Sequence, residues 1–293
     1  MSDARYHRFM FTEFAVRGAI VRLDDAWRNI LSRHWYPDQV AQWLGEALAT
    51  CVLIHSAIKR PGILSLQLRG PGPLRLLLAQ ATHDGDIRGL ARFEEGVEQL
   101  VSLESMADQT LLSLQLQGES GEPYQGIVPL QGIGIGEAVE SYFEQSEQLP
   151  TRLWLSVSDQ QACGLLLQQL PRGDFEELDE DGWNRVVKLA QTITRRELLQ
   201  LPPEQMLHRL FHQETLQLGE AQPLQFACSC SRQRVAQMLR SLGEMEVNQV
   251  VAERGEVEVF CEHCNERYVF DAVDATSIFH AGDNPPPASP TNQ

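Results

Sequence analysis

Positive charge is scarce in this sequence. Across 293 residues, 24 Lys and Arg stand against 40 Asp and Glu, a formal net charge of −16. A surface this acidic repels phosphate backbones and anionic bilayers, which excludes a primary nucleic-acid binder and an anionic-membrane binder. Long apolar runs are missing too. The strongest, LRLLLA at 74–79, is far short of the ~18 residues that a membrane helix needs. The opening MSDARYHRFMFTEF is charged throughout and lacks the apolar stretch of a secretory signal, so the expectation is a cytoplasmic protein. Cysteine is sparse: six are too few for a secreted disulfide scaffold, and in a reducing compartment they are thiols, metal ligands or redox groups. The eight histidines are scattered and form no Ser-His-Asp or H-E-x-x-H pattern, so no catalytic constellation is visible. Internal repeats are absent.

What is present predicts an α+β fold. Residues 1–172 read as a mixed core of sheets and packed helices. FAVRGAIVRL at 14–23 is β-branched and half-alternating, a strand; Asp24 and Asp25 cap a short helix carrying Trp27, Ile30 and Leu31. Pro37 opens a longer helix whose apolar positions Val40, Trp43, Leu44, Ala47, Leu48, Cys51, Val52 and Ile58 recur at three- and four-residue steps, and Pro61-Gly62 ends it. Leu64, Leu66 and Leu68 alternate with polar residues, as do Leu112, Leu114 and Leu116, which is strand period. Pro71-Gly72-Pro73 and Asp84-Gly85-Asp86 are turns, 124–130 is a strand, 136–147 a helix, and 152–158 and 162–170 strands. Gly132, Gly134 and Gly136 resemble a phosphate loop superficially. They lack the third glycine of the dinucleotide fingerprint and the lysine of a P-loop, so they read as a turn and helix start.

Residues 173–226 form an acidic lead-in, six acids in the nine residues 173–181, followed by a helical arm. One helix begins near Trp183 and runs toward residue 200, with Val186, Val187, Leu189, Ala190 and Ile193 on one face. Pro202-Pro203 restarts another, carrying Met206, Leu207, Leu210 and Phe211. These helices have no strands of their own and must lie over the main domain or over a second subunit. Residues 227–280 make a small C-terminal unit, and 281–293, with four prolines in thirteen residues, has no core former and reads as disordered.

The cysteines carry the chemical signal. Cys228 and Cys230 form a C-x-C pair, Cys261 and Cys264 a C-x-x-C pair, with thirty residues between. Four thiolates in two close pairs suit a tetrahedral Zn²⁺, one per chain, because each pair donates two sulfurs and the metal closes the loop. The 227–280 unit has few large apolar residues: Val235, Met238, Leu239, Leu242, Val250, Val259, Phe260, Tyr268 and Phe270. A domain so small needs a staple, and structural zinc supplies roughly 10 kcal/mol or more. Three readings of the cluster stand open: a structural zinc ribbon or adaptor, a thiol-disulfide oxidoreductase, and a zinc centre that is staple and switch together. From Cys228 onward there are five Arg and no Lys against ten acids, the wrong sign for a nucleic-acid ribbon. His263 lies between two ligand cysteines and reads as solvent-facing or hydrogen-bonded to a sulfur. Cys51, on the apolar face of a helix, and Cys163, in the run ACGLLL, read as small buried hydrophobes.

The chain also resembles a known family from end to end, the bacterial 33 kDa chaperonins. The resemblance rests on F-A-V-R-G at 14–18, LQLRGPGPL at 66–74, Y-Q-G at 124–126, ESYFEQSEQLPTRL at 140–153, LPPEQMLHRLFHQE at 201–214, C-S-C-S-R at 228–232, and the C-x-x-C followed by Tyr268 and Phe270. It implies a non-enzymatic, ATP-independent holdase that binds unfolded or partly folded client proteins under oxidative and heat stress. It further implies that zinc on Cys228, Cys230, Cys261 and Cys264 marks an inactive reduced form. Peroxide with unfolding stress, or hypochlorous acid, would expel the metal and form the disulfides Cys228–Cys230 and Cys261–Cys264, and the active oxidised form would be a homodimer.

Overall fold

The computed structural model describes residues 3–58, 61–97, 102–118, 124–130, 134–171, 179 and 181–280. The chain divides into two compact units, Met1–Ala227 and Cys228–Gln293.

The first unit is built on two six-stranded sheets. Sheet A places β1 (Arg5–Phe11) beside β2 (Val16–Arg22), then β9 (Ala162–Gln169) and β8 (Thr151–Val157), all antiparallel. Sheet B runs β5 (Asp86–Phe93), β4 (Leu74–Thr82), β3 (Gly62–Arg69), β6 (Leu111–Gly118) and β7 (Tyr124–Pro129). Gly85 makes the β4–β5 turn at φ +84°, a conformation that favours glycine. Helices α1 (Asp24–Leu31), α2 (Asp38–Ala57) and α3 (Ile135–Gln145) complete this part, and Gly134 is the N-cap of α3. The turn and helix start read at Gly134 and Gly136 are therefore present, while Gly132 lies outside the described residues.

Helix α2 lies between the sheets. A Cβ on Gly45 would strike Val157 of β8, whereas Gly89 of β5 sits against Leu44 and Leu48. Cys51 Sγ points to the carbonyls of Leu64 on β3 and Ala79 on β4, at 3.3 and 3.6 Å. The sequence showed an amphipathic stripe; the structure buries α2 nearly all round, Thr50, His55 and Ser56 included. Local bonds permit this: Ser56 Oγ donates to Leu53 O at 2.7 Å, and His55 Nε2 pairs with Gly62 O at 3.2 Å.

Sheet A is buried on both faces, and strand period sorts its residues. Ala19, Val21, Ala162 and Leu166 face α2. Phe9, Phe11, Val16, Ile20, Cys163, Leu165 and Leu167 belong to a second core with the arm helices. These are α4 (Gly182–Ala190), α5 (Arg195–Gln200) and α6 (Pro203–Phe211), contributing Val186, Ala190, Leu198, Met206, Leu207, Leu210 and Phe211. Phe11 stacks on Phe14 at 4.7 Å and meets Phe211 edge-on at 5.2 Å. Within F-A-V-R-G, Phe14 fills the place a side chain at Gly182 would need, and Gly18 lets the Phe9 ring lie on the backbone.

Two expectations for the arm, its single first helix and its lack of strands, change. The helix starting near Trp183 stops at Ala190, and Thr194 begins α5 with a capping box whose partner is Glu197. The arm covers its own chain and is part of the first unit. It also has strands: β10 (Leu216–Leu218) and β11 (Gln222–Pro223) pair with β1, and β12 (Gln225–Phe226) pairs parallel with β5. Arg185 clasps the two ends of the arm, donating to Glu214 at 2.7 and 2.9 Å while pairing with Asp179 at 2.7 Å. Most of the acidic lead-in at 173–181, and the whole tail at 281–293, lie outside the described residues.

The second unit contains α7 (Arg232–Leu242), α8 (Glu244–Arg254), the hairpin β13 (Glu256–Phe260) and β14 (Arg267–Asp271), and α9 (Ala272–His280). Its core is Val235, Leu239, Val247, Val257, Phe270, Ala275 and Ile278. Met238, Leu242 and Phe260, expected inside, are exposed at 43, 54 and 50%. The core is thinner than the sequence suggested.

Candidate metal centre

The four cysteines arrive from two places. Cys228 and Cys230 follow β12 directly and precede α7, whose N-cap Ser231 accepts from the Arg234 amide at 3.2 Å. Arg234 Nη1 returns to the carbonyl of Ser229 at 2.5 Å, bracing the C-x-C segment. Cys261 and Cys264 occupy the β13–β14 turn. Asn265 N donates to Cys261 O at 2.7 Å and Cys261 N to Glu266 O at 2.9 Å, with Asn265 left-handed at φ 57°.

All four sulfurs lie within 4.8 Å of one another. Two approaches cross the pairs: Cys228 to Cys261 at 3.6 Å and Cys230 to Cys264 at 3.3 Å. A tetrahedral zinc with sulfurs at about 2.3 Å requires S···S edges of about 3.8 Å. The two crossing approaches fall just short of that value and no pair exceeds 4.8 Å, so the donor set can hold such an ion. Cys264 is buried and the other three are half-buried. His263, half-buried beside them, is not one of the four clustered groups.

Electrostatics differ from sulfur to sulfur. Burial pushes the Cys228 and Cys264 thiols up, and hydrogen bonds that neighbouring sulfurs accept from them hold the protons further. Partial burial pushes the half-buried Cys230 the same way, but the Tyr268 hydroxyl donates to its sulfur at 3.1 Å and, with the adjacent thiols, holds it below the ordinary value. The same bond raises Tyr268. Tyr268, expected in the small core, is half-buried and its phenol is directed at the Cys230 sulfur. Its position on the strand leaving the C-x-x-C turn was the available signal. The other two thiols are remote from chemistry: burial pushes Cys51 and Cys163 each up to about 12, where they stay protonated at neutral pH.

Fold and site together define a class: an α+β protein of two stacked sheets, one covered by a helical arm, carrying a small four-thiol unit competent for a tetrahedral metal. A sequence model described as Hsp33 protein matches residues 4–271, and the chain belongs to the Hsp33 family. It is 45% identical to a 33 kDa chaperonin of Nitrosococcus oceani over 93% of each chain. A 33 kDa chaperonin of Ectopseudomonas mendocina is 44% identical, covering 93% of this chain and 94% of that one. The crystal structure of the 33 kDa chaperonin (heat shock protein 33 homolog) from Thermotoga maritima superposes with a TM-score of 0.78 at 24% identity, over 94% of this chain and 97% of that one. The family is one of chaperones, not enzymes. No helix among the described residues is long and apolar enough to cross a membrane.

Proposed function

We propose that this protein is a redox-regulated, ATP-independent holdase of the cytoplasm. Its reduced form carries one Zn²⁺ on Cys228, Cys230, Cys261 and Cys264 and is inactive; its oxidised form is a homodimer that binds unfolding proteins and prevents their aggregation. The observation that carries this reading is the covered face of sheet A. Phe9, Phe11, Ile20, Leu165 and Leu167 are buried by α4–α6 and make a broad apolar surface once the arm leaves.

The chemistry at the cysteines supplies the trigger. One thiolate attacks a peroxide oxygen, breaking the O–O bond to give a sulfenic acid and hydroxide; a second thiolate then attacks the sulfenic sulfur, and hydroxide leaves as the S–S bond closes. Each pair gives up two electrons and solvent supplies two protons, so that one peroxide becomes two waters. Zinc, when bound, holds the four thiolates together and closes the loop between the pairs. Oxidation removes the negative charges that hold it, and a unit with seven buried apolar side chains loses its staple. A single residue, Ala227, separates β12 from Cys228, so disorder arising in the second unit starts where the arm's last strand ends. The acidic chain suits a holdase, since net charge keeps a complex with a sticky client dispersed.

The deciding experiment is light scattering of a heat-aggregating client mixed with reduced or oxidised protein. Suppression by the oxidised form alone is expected. Equal suppression by both forms would remove the redox switch, and none by either would leave a structural zinc adaptor. Disulfide exchange activity on a model substrate, without suppression, would favour the oxidoreductase.

A further inference from the structure

Beside the C-terminal end of α2, a cavity of about 360 Å³ opens between β1, β2 and the arm's return strand β10. Its charged groups are Arg8 and Arg17. In the β1–β2 register Arg8 stands opposite Ala19 and Arg17 opposite Met10, so the two arginines are diagonal neighbours on one face of the sheet. Like charges so placed repel, and a fold of net charge −16 has acids to spare. Yet among the described residues neither guanidinium has an acidic partner within ion-pair distance. Arg17 is held rigidly instead: Nε and Nη2 donate to Gln168 Oε1 at 3.0 and 2.5 Å, and Nη1 donates to Ala57 O at 3.0 Å. Gln168 is itself fixed by donating to Thr151 Oγ1 at 2.8 Å. Of the five N–H groups of Arg17, the bonds to Gln168 and Ala57 use three, and among the described residues the other two have no partner. Arg8 is exposed, its guanidinium over the Tyr6 ring at 5.8 Å. The other walls are largely apolar, with Met10, Ala19, Leu166 and Leu218 among them.

We infer that this cavity is a binding site for a small organic carboxylate with an apolar body. The carboxylate would lie between the Arg8 and Arg17 guanidiniums, neutralising their repulsion, and its hydrocarbon would lie against Leu166 and Leu218. Phosphate lacks the apolar body, and a neutral alcohol lacks the charge. One wall, Gln217 to Gly219, belongs to the returning arm, and Gly219 N donates to Arg8 O at 2.7 Å. The site is complete only while β10 is paired with β1. An occupant therefore stabilises the docked arm, by the linkage that favours whichever state binds it.

Calorimetric titration of the reduced, zinc-loaded full chain with hexanoate tests the site, with 1-hexanol and inorganic phosphate as comparisons. Hexanoate is expected to bind at least tenfold more tightly than either. Arg8→Gln, a change at an exposed position, is expected to weaken it about tenfold or more. Absence of hexanoate binding, equal binding of 1-hexanol or phosphate, or unchanged affinity in Arg8→Gln would each overturn the assignment. Hydrogen exchange at the Gly219 amide tests the coupling separately. Exchange slowed by hexanoate supports it, and unchanged exchange at saturating hexanoate overturns it. Neither readout depends on client holding, so a protein that binds hexanoate but suppresses no aggregation would refute the holdase reading alone.

Discussion

At the residue scale, the candidate metal centre is more than four sulfurs. Tyr268 donates to Cys230, and Arg234 braces the loop that carries the same cysteine. Partners of this kind orient ligands, and their loss generally weakens metal binding by roughly 10–100-fold. Tyr268→Phe is therefore expected to lower zinc affinity by about tenfold, read by competition with a chromophoric chelator under reductant; wild-type affinity would assign the phenol to packing alone. Cys264→Ser removes a ligand outright. It is expected to bring zinc well below one per chain and to loosen residues 228–280, with the two-sheet unit keeping its unfolding transition. The four clustered thiols, which could hold a metal, are legible because thiol spacing is itself the chemistry. The hydroxyl of Tyr268 is not, since an aromatic on a strand flanked by Val269 and Phe270 looks the same in sequence whether its oxygen meets a sulfur or water.

At the element scale, long periodic segments were legible and short ones were not. α2, β3, β6 and β9 announce themselves by apolar spacing. β1 is less legible, because RYHRFMF interleaves its buried His7, Phe9 and Phe11 with Tyr6, Arg8 and Met10, a mixed run that has no clear apolar face in sequence. β10, β11 and β12 are two or three residues long, and their pairing is set by strands far away in the chain, which no local pattern reveals. The break at 191–194 was hidden by continuous apolar spacing from Val186 to Ile193, yet Thr194 and Glu197 form the capping box that starts α5. This division of the helix moves the best probe of the arm. Leu189 sits in the last turn of α4, whereas Val186 lies at its middle with no exposure. Val186→Asp places a carboxylate in the core that α4–α6 share with sheet A, at a cost of several kcal/mol if the arm stays down. The reduced, zinc-bound variant is expected to hold clients without oxidant. Its Cys163, in the core beneath the arm, is expected to react with a thiol reagent at pH 8, where in the closed protein burial keeps it protonated. A folded, zinc-bound variant that is inert and leaves Cys163 unreactive would show that the arm is not the cover.

At the scale of the whole molecule, the order of oxidation follows from local chain geometry. Cys261 and Cys264 share a tight turn closed by two backbone hydrogen bonds. Cys228 and Cys230 flank one residue, and an extended C-x-C separates its Cα atoms by ~6.6 Å, near the upper limit for a disulfide. The 261–264 bond is expected first, with peroxide at low temperature, and the 228–230 bond only when heat or mild denaturant loosens the chain, together with client holding. Mass mapping of a time course decides. A 228–230 bond formed first, or cross-linked 228–261 and 230–264 products favoured by the proximity of those sulfurs, would refute this order.

The pairing of β10 with β1 also sets a problem that begins before the protein is complete. Phe11 lies opposite Leu216, so the amino-terminal strand leaves the ribosome some 205 residues ahead of its edge partner. At about 5–20 residues per second, translation takes on the order of 10–40 s to cover that distance. Once β8 and β9 have followed, the aromatic face of sheet A still has neither α4–α6 above it nor β10 beside it. Every newborn copy thus passes through a state with the same face bare that the finished chain covers, and a protein suited to protecting others from aggregation begins as a chain that needs such protection.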